Sequence, residues 1–202
     1  MKRLFVFGGI GASIILIAFG IGAIWVGASG RDQVRSNLKL EKITGTPDMT
    51  PAAIKAAVAE AGLKNVGLPS CNVADKAVNT GARAHCFANY MRIHALEATG
   101  GQVYAQMGQY LDKAGKPTSD KAMAAKDPNT GQLVSNPTRN VWITETALST
   151  ALNQAYFAEQ VAYFGIVTGV ALLLTGIGFL VLTFGVLLPF GEKKMTQNGA
   201  MS

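Results

Sequence analysis

A charge-free stretch of 32 residues, from 160 to 191, constrains this chain more than any other feature. The stretch is rich in Val, Leu, Ile and Phe, and its length is typical of a transmembrane helix, since about 20 residues cross a bilayer. Asn136-Pro137 predicts the start of the helix, because Asn caps free N–H groups and Pro suits the first helical position. No further Pro occurs before position 189. A helix over 137–188 would be roughly 78 Å long, so its first half is expected to stand in water.

A second apolar run follows the N-terminal Lys2-Arg3 and extends from Leu4 to Gly30. The sequence Val26-Gly27-Ala28 resembles a signal-peptide cleavage site, which leaves a cleaved signal as one alternative. The apolar region is longer than the core of a signal peptide, which is about 7–15 residues, and it is long enough to span a bilayer. We therefore expect an uncleaved anchor.

The charges beside the spans give conflicting signals about topology. Lys193 and Lys194 directly follow the second span and predict a cytoplasmic C-terminus. Four basic residues outside the first span oppose Lys2 and Arg3, but such counts are unreliable beside a large translocated domain. Two spans place both termini on the same side of the membrane. We therefore expect the protein to lie in the cytoplasmic membrane with both termini in the cytoplasm. The predicted order is cytoplasmic N-terminus 1–3, transmembrane helix 4–28, extracytoplasmic domain 29–159, transmembrane helix 160–189 and cytoplasmic tail 190–202.

The extracytoplasmic domain is predicted to be a helical bundle, which makes the chain an all-α membrane protein with two transmembrane helices. Thr50-Pro51 predicts a helix that ends before Gly62. A longer helix is expected to run from about Asp75 or Thr80 to Thr99, before Gly100-Gly101. Two shorter helices are predicted over 102–113 and 119–126. A face of the last helix, formed by Val141, Leu148, Leu152 and Ala155, is expected to pack on the domain.

Cys71 and Cys86 are the only cysteines. In the predicted extracytoplasmic compartment disulfides persist, so we expect a disulfide between them rather than two buried thiols. Closing a loop of about 15 residues would stabilise the domain by roughly 3 kcal/mol. The spacing does not match a usual zinc motif.

His85 and His94 are the only histidines, nine residues apart on one predicted helix. Nine steps of about 100° place them on opposite faces, so they are not expected to share a metal ion. His94 and Glu97 do share a face and form a candidate polar site. The ordinary alternative is a histidine at the edge of the core. We expect no bound metal, no cofactor and no catalytic centre.

Two small-residue motifs lie in the spans. Gly165-x₃-Gly169 is a close-packing motif, and Gly8-x₃-Ala12 is a looser one. Neither span contains an ionisable residue, which argues against an ion or proton pathway. The chain has a net charge of +6, but its basic residues do not form the dense stripe that is typical of nucleic-acid binding. Expected partners are the lipid bilayer and other membrane proteins or a second copy, without nucleic acid.

The segment from Ala88 to His94, followed by Gly100-Gly101-x-x-Tyr104, resembles a poorly characterised group of two-span bacterial membrane proteins. Some members of that group are labelled aromatic ring-opening dioxygenase. The resemblance implies a helical domain outside the membrane, between two anchors. The residues do not support the dioxygenase label, since a non-haem iron site needs two His and a carboxylate on one face.

The sequence therefore predicts a structural or interaction membrane protein, an accessory subunit or scaffold. One alternative is an extracytoplasmic ligand-binding sensor, which would need a separate output protein because the tail after Phe190 is short. Another is an enzyme that uses His94 and Glu97. A polar pocket at His94 would favour the enzyme, and an apolar contact there would favour the scaffold.

Overall fold

The computed structural model describes residues 2–187, and it is mostly helical. Four α-helices follow in order: α1 (Lys2–Leu40), α2 (Pro51–Glu60), α3 (Gly81–Ala98) and α4 (Thr138–Leu182). A π-helical turn, Thr183–Leu187, continues α4. Between α3 and α4 lie a 3₁₀ turn, Tyr104–Gln106, and two short antiparallel strands, β1 (Tyr110–Leu111) and β2 (Pro117–Thr118). The predicted cytoplasmic segments 1–3 and 190–202, with Lys193 and Lys194, fall almost wholly outside the described residues.

The chain divides into two compact units. One comprises the chain up to Gln33 together with the chain from Ala158 onward, and the other comprises Val34–Phe157. The stretches Phe5–Leu40 and Thr138–Gly185 are helices long and apolar enough to cross a membrane. The helix start predicted at Asn136 is confirmed, because Asn136 Oδ1 accepts a 3.1 Å hydrogen bond from the Thr138 N–H. The helix then continues through Leu182 without a break, as its sequence predicts.

In the first unit, α1 and α4 run antiparallel and approach each other along a line of small residues. A Cβ added at Gly20 would lie 2.8 Å from the Gly169 carbonyl oxygen, and one added at Gly169 would lie 2.7 Å from the Gly20 carbonyl oxygen. A Cβ at Gly27 would lie 2.6 Å from the Ala162 carbonyl oxygen. Only glycine permits such backbone contact, so these positions fix how closely the helices pack.

The repeat along this contact is seven residues, which differs from the predicted four-residue motifs. Buried small residues recur in α1 at Ser13, Gly20 and Gly27, and in α4 at Ala162, Gly169, Gly176 and Thr183. A seven-residue repeat is typical of helices that pack as a left-handed coiled coil. We call this contact the glycine seam.

The predicted motif residues contribute unequally to the glycine seam. Gly169 lies at its centre, and a Cβ at Gly165 would still make ordinary contact, 3.7 Å from the Ala23 carbonyl oxygen. Gly8 and Ala12 take no part: Ala12 is exposed, and a Cβ at Gly8 would meet nothing within 4 Å. The contact passes one position later, at Ser13 and at Gly9, where a Cβ would lie 2.5 Å from Thr183 Oγ1.

In the second unit, α2 begins after Thr50 as predicted, and α3 begins after Thr80, the later of its two predicted starts. The side chains of Thr50 and Thr80 accept hydrogen bonds from the N–H groups of Ala53 and Arg83, which cap the two helices. The helix stop predicted after Thr99 is confirmed, because the Gly101 N–H bonds the Leu96 carbonyl at 2.7 Å. A core of Met49, Ile54, Val73, Cys86, Tyr90 and Ile93 fills the space between these helices.

The two helices predicted over 102–113 and 119–126 do not form, so the domain is not entirely helical. The physical reason lies in aspartates that bond their own turns. Asp112 Oδ1 accepts from the N–H groups of Ala114 and Lys116 at 2.8 Å each, and Asp120 does the same for Ala122. Such local bonds compete with helix formation. Gly108 also packs against the backbone of Thr118, where a Cβ would lie 2.5 Å from the nitrogen.

The face of α4 that packs in the second unit differs from the predicted one. Leu152 is buried and Ala155 packs beside it, as predicted. Val141 and Leu148 are instead 41% and 46% exposed, and the buried positions nearer the start of α4 are Trp142 and Glu145. The prediction assumed that only apolar residues form the buried face, whereas Glu145 is buried with polar partners.

Replacing Gly169 by Leu should disrupt the glycine seam, because the side chain would overlap the backbone of α1. We expect a loss of about 1–3 kcal/mol, the usual cost of overpacking, or separation of the helices. Gly178→Leu is the matched control, since a Cβ at Gly178 meets nothing within 4 Å. Thermal unfolding in detergent measures both variants, and equal stability of the two would contradict the seam.

Candidate functional site

The two histidines lie on α3 and have separate partners. His85 Nδ1 lies 2.6 Å from Asn153 Oδ1, and the imidazole stacks on Tyr156 with ring centroids 4.8 Å apart. Because an amide oxygen can only accept, His85 carries its proton on Nδ1 in this contact. His94 contacts a different set of residues, as the nine-residue spacing predicts. His85 is thus part of the packing between α3 and α4.

His94 lies between two carboxylates. Its Nδ1 is 2.9 Å from Glu97 Oε2, which is the hydrogen bond expected from the three-residue spacing. Its Nε2 is 3.2 Å from Asp48 Oδ2, at an angle outside hydrogen-bond geometry. Only a doubly protonated ring has an N–H for each carboxylate. The ring thereby links α3 to the loop before α2, a contact that the sequence did not reveal.

This arrangement cannot hold a metal ion between its three members. The two ring nitrogens of His94 point in opposite directions, and one carboxylate lies on each side. Among the residues that the structure describes, no group of three or more His, Cys, Asp or Glu side chains is placed to bind a metal. The contacts of the cluster join α3 to the loop before α2.

A second polar cluster was missed by the sequence analysis. Glu145 is only 4% exposed, and its carboxylate accepts hydrogen bonds from Ser149 Oγ at 2.7 Å and Thr146 Oγ1 at 3.3 Å. Arg92 Nη1 lies 3.7 Å from the same carboxylate, and the guanidinium lies 4.7 Å from the centre of the Trp142 ring. The four-residue spacing of Glu145 and Ser149 was the available signal.

A cavity of about 570 Å³ lies between His94 and Glu145. Met91, Ala95, Pro137 and Val141 supply most of its wall, so the wall is largely apolar. Of the four polar residues that border it, His94 and Glu145 are already bonded to other side chains. The cavity therefore offers contact surface, while its charged residues hold α3 against α4 and against the loop before α2.

The predicted disulfide joins Cys71 to Cys86, across 15 positions of sequence. The Tyr90 hydroxyl donates a 2.6 Å hydrogen bond to the Cys71 carbonyl, and burial raises the pKa of Tyr90. These two links fasten the end of the loop after α2 to the middle of α3. By the chain-entropy estimate the disulfide contributes roughly 3 kcal/mol.

The same loop forms one wall of a larger cleft. Residues 61–69 face α3 and the turn after it, and the cleft between them has a volume of about 700 Å³. Ile93 and Leu96 contribute apolar surface from α3, while Arg92 reaches the cleft from the Glu145 cluster. The volume lies within the range of about 300–1,000 Å³ that is usual for ligand sites.

The stability of the domain should depend on Asp48 at low pH. The hydrogen bond from Thr46 is the main cause that lowers the pKa of Asp48, and the charge of His94 adds to it. A carboxylate with a lowered pKa stabilises the fold above its unfolded value of about 3.9, and this contribution is lost as pH falls through the folded value. Asp48→Asn should therefore flatten the acid limb of unfolding curves measured between neutral and acidic pH. Glu60→Gln, at an exposed position of α2, is the control, and an equal flattening by both would contradict a specific role for Asp48.

No family model, curated protein or solved structure matches this chain. Its function is therefore inferred from the contacts in the two units.

Proposed function

We propose that this chain is a structural or interaction protein of the cytoplasmic membrane, an accessory subunit or scaffold. One observation carries the proposal: α1 and α4 bury small residues against each other and expose large apolar ones. Ser13 is fully buried, whereas Phe19 and Phe164 are 70% and 72% exposed. This pattern is the reverse of a water-soluble helix pair and suits lipid on the outside.

Several features support a position in the bilayer with the second unit outside the cell membrane. Exposed aromatic side chains, Trp25, Phe157 and Tyr163, lie toward the ends of the apolar stretches, where aromatic residues favour the interface. The Cys71–Cys86 disulfide suits an oxidising compartment. The resemblance to two-span bacterial membrane proteins also supports a helical domain outside the membrane between two membrane anchors.

The polar clusters support a scaffold more than an enzyme. Glu145 forms an ion pair with Arg92, and His94 is held between Asp48 and Glu97. These groups link secondary-structure elements to one another, and the cavity beside them is largely apolar. A ligand-binding sensor component is the second candidate, because the 700 Å³ cleft is large enough for a ligand.

The proposed topology places Ser119 outside the membrane and Ser202 inside. The disulfide leaves no free thiol among the described cysteines, so Ser119→Cys and Ser202→Cys each introduce a single reactive site. A membrane-impermeant maleimide should label Ser119→Cys in intact cells and Ser202→Cys only after permeabilisation. Labelling in the reverse order would contradict the proposed orientation.

The proposed role requires protein partners of the second unit. A photo-cross-linking amino acid at exposed positions, Leu68 and Met123, should give covalent adducts with other proteins in living cells. The adducts are purified from solubilised membranes and identified by mass spectrometry, with samples kept in the dark as the control. Absence of any protein adduct at both positions would overturn the interaction role.

A further inference from the structure

The wall of the 700 Å³ cleft is a stretch of main chain without internal partners. In the described structure, no main-chain hydrogen bond involves residues 64–70. Five of these residues are exposed, namely Lys64, Asn65, Gly67, Leu68 and Ser70. Asn65 has a φ of +59° and Pro69 has no N–H, so the groups able to bond the main chain of another peptide, as in the addition of a strand, are those of residues 66–68.

The charges of the cleft have one sign. Among the described residues that line it, Lys64 and Arg92 are basic and none is acidic. Arg92 is held at its place by the Trp142 ring and by Glu145, which lies 3.7 Å away. Lys64 has an exposed side chain and supplies the uncompensated charge. The cleft therefore favours a ligand with carboxylates.

Apolar side chains supply the floor of the cleft. Leu63, Val66, Leu96 and Val103 line it, and Ile93, which is only 1% exposed, lies behind them. Gly67 leaves room at the wall, because a Cβ there would meet nothing within 4 Å. An extended peptide places alternate side chains on opposite faces, so it can set apolar residues on this floor while its acidic residues reach Lys64.

We propose that the cleft between residues 61–69 and α3 binds an extended, acidic peptide segment of a partner protein. This inference rests on the proposed interaction role and names the chemistry of the partner. Main-chain pairing along 66–68 would supply affinity, and Lys64 would select the acidic sequence. The disulfide and the Tyr90 hydrogen bond keep the wall in place before the peptide arrives.

A display library of random short peptides, selected against the full chain in lipid nanodiscs, tests the proposal. The selected peptides should be enriched in Asp and Glu together with β-branched residues. Gly67→Leu should weaken their binding by about tenfold or more, because its side chain fills space at the cleft wall. Lys64→Glu should weaken it by about fivefold, the scale of one exposed charge pair.

Ala56→Leu is the matched control, since Ala56 is exposed on α2 and does not line the cleft. It should bind the selected peptides as the unaltered chain does. No enriched peptide, enrichment of basic peptides, or equal binding by Gly67→Leu would overturn the proposal. Cross-linked partners at Met123 together with such a failure would show that the interaction role stands and that its site lies elsewhere.

Discussion

The structure of the first unit depends on direct contact between the backbones of α1 and α4. Lipid provides no hydrophobic force that draws two apolar helices together, so close van der Waals packing must supply the attraction in the proposed membrane setting. Glycines at positions 20, 27, 169 and 176 allow this approach. The hydroxyls buried in the seam are also satisfied, because Ser13 and Thr183 bond the carbonyls of Gly9 and Phe179. The glycine seam thus combines close backbone packing with satisfied hydrogen bonds for its buried hydroxyls.

The parts of the fold that local chemistry determines could be predicted from the sequence. Thr50, Thr80 and Asn136 cap the three helices that follow them, and the absence of Pro allows α4 to continue to Leu182. The region 102–126 could not be predicted by periodicity. There, single aspartate side chains accept hydrogen bonds from nearby N–H groups and stabilise turns instead of helices. The spacing of apolar residues carries no information about these local hydrogen bonds.

The contacts of the candidate site could be predicted only where the two residues lie close together in the sequence. The spacing of three residues identifies the His94–Glu97 hydrogen bond, whereas Asp48 reaches His94 from a distant loop. Glu145 was missed because charged residues are usually solvated, and its burial depends on Ser149, Thr146 and Arg92 together. Long-range pairs of this kind need the tertiary structure.

The two surfaces of α3 in the second unit have different electrostatic roles. Toward α4 and the loop before α2, its charged residues meet opposite charges, which removes them from recognition and leaves them to hold the fold. Toward residues 61–69, Lys64 remains without an acidic neighbour in the cleft lining. The disulfide fixes the end of that loop to α3, so a ligand need not order the wall when it binds. A wall that is already in place, with main-chain groups left without internal partners, would suit the proposed peptide segment.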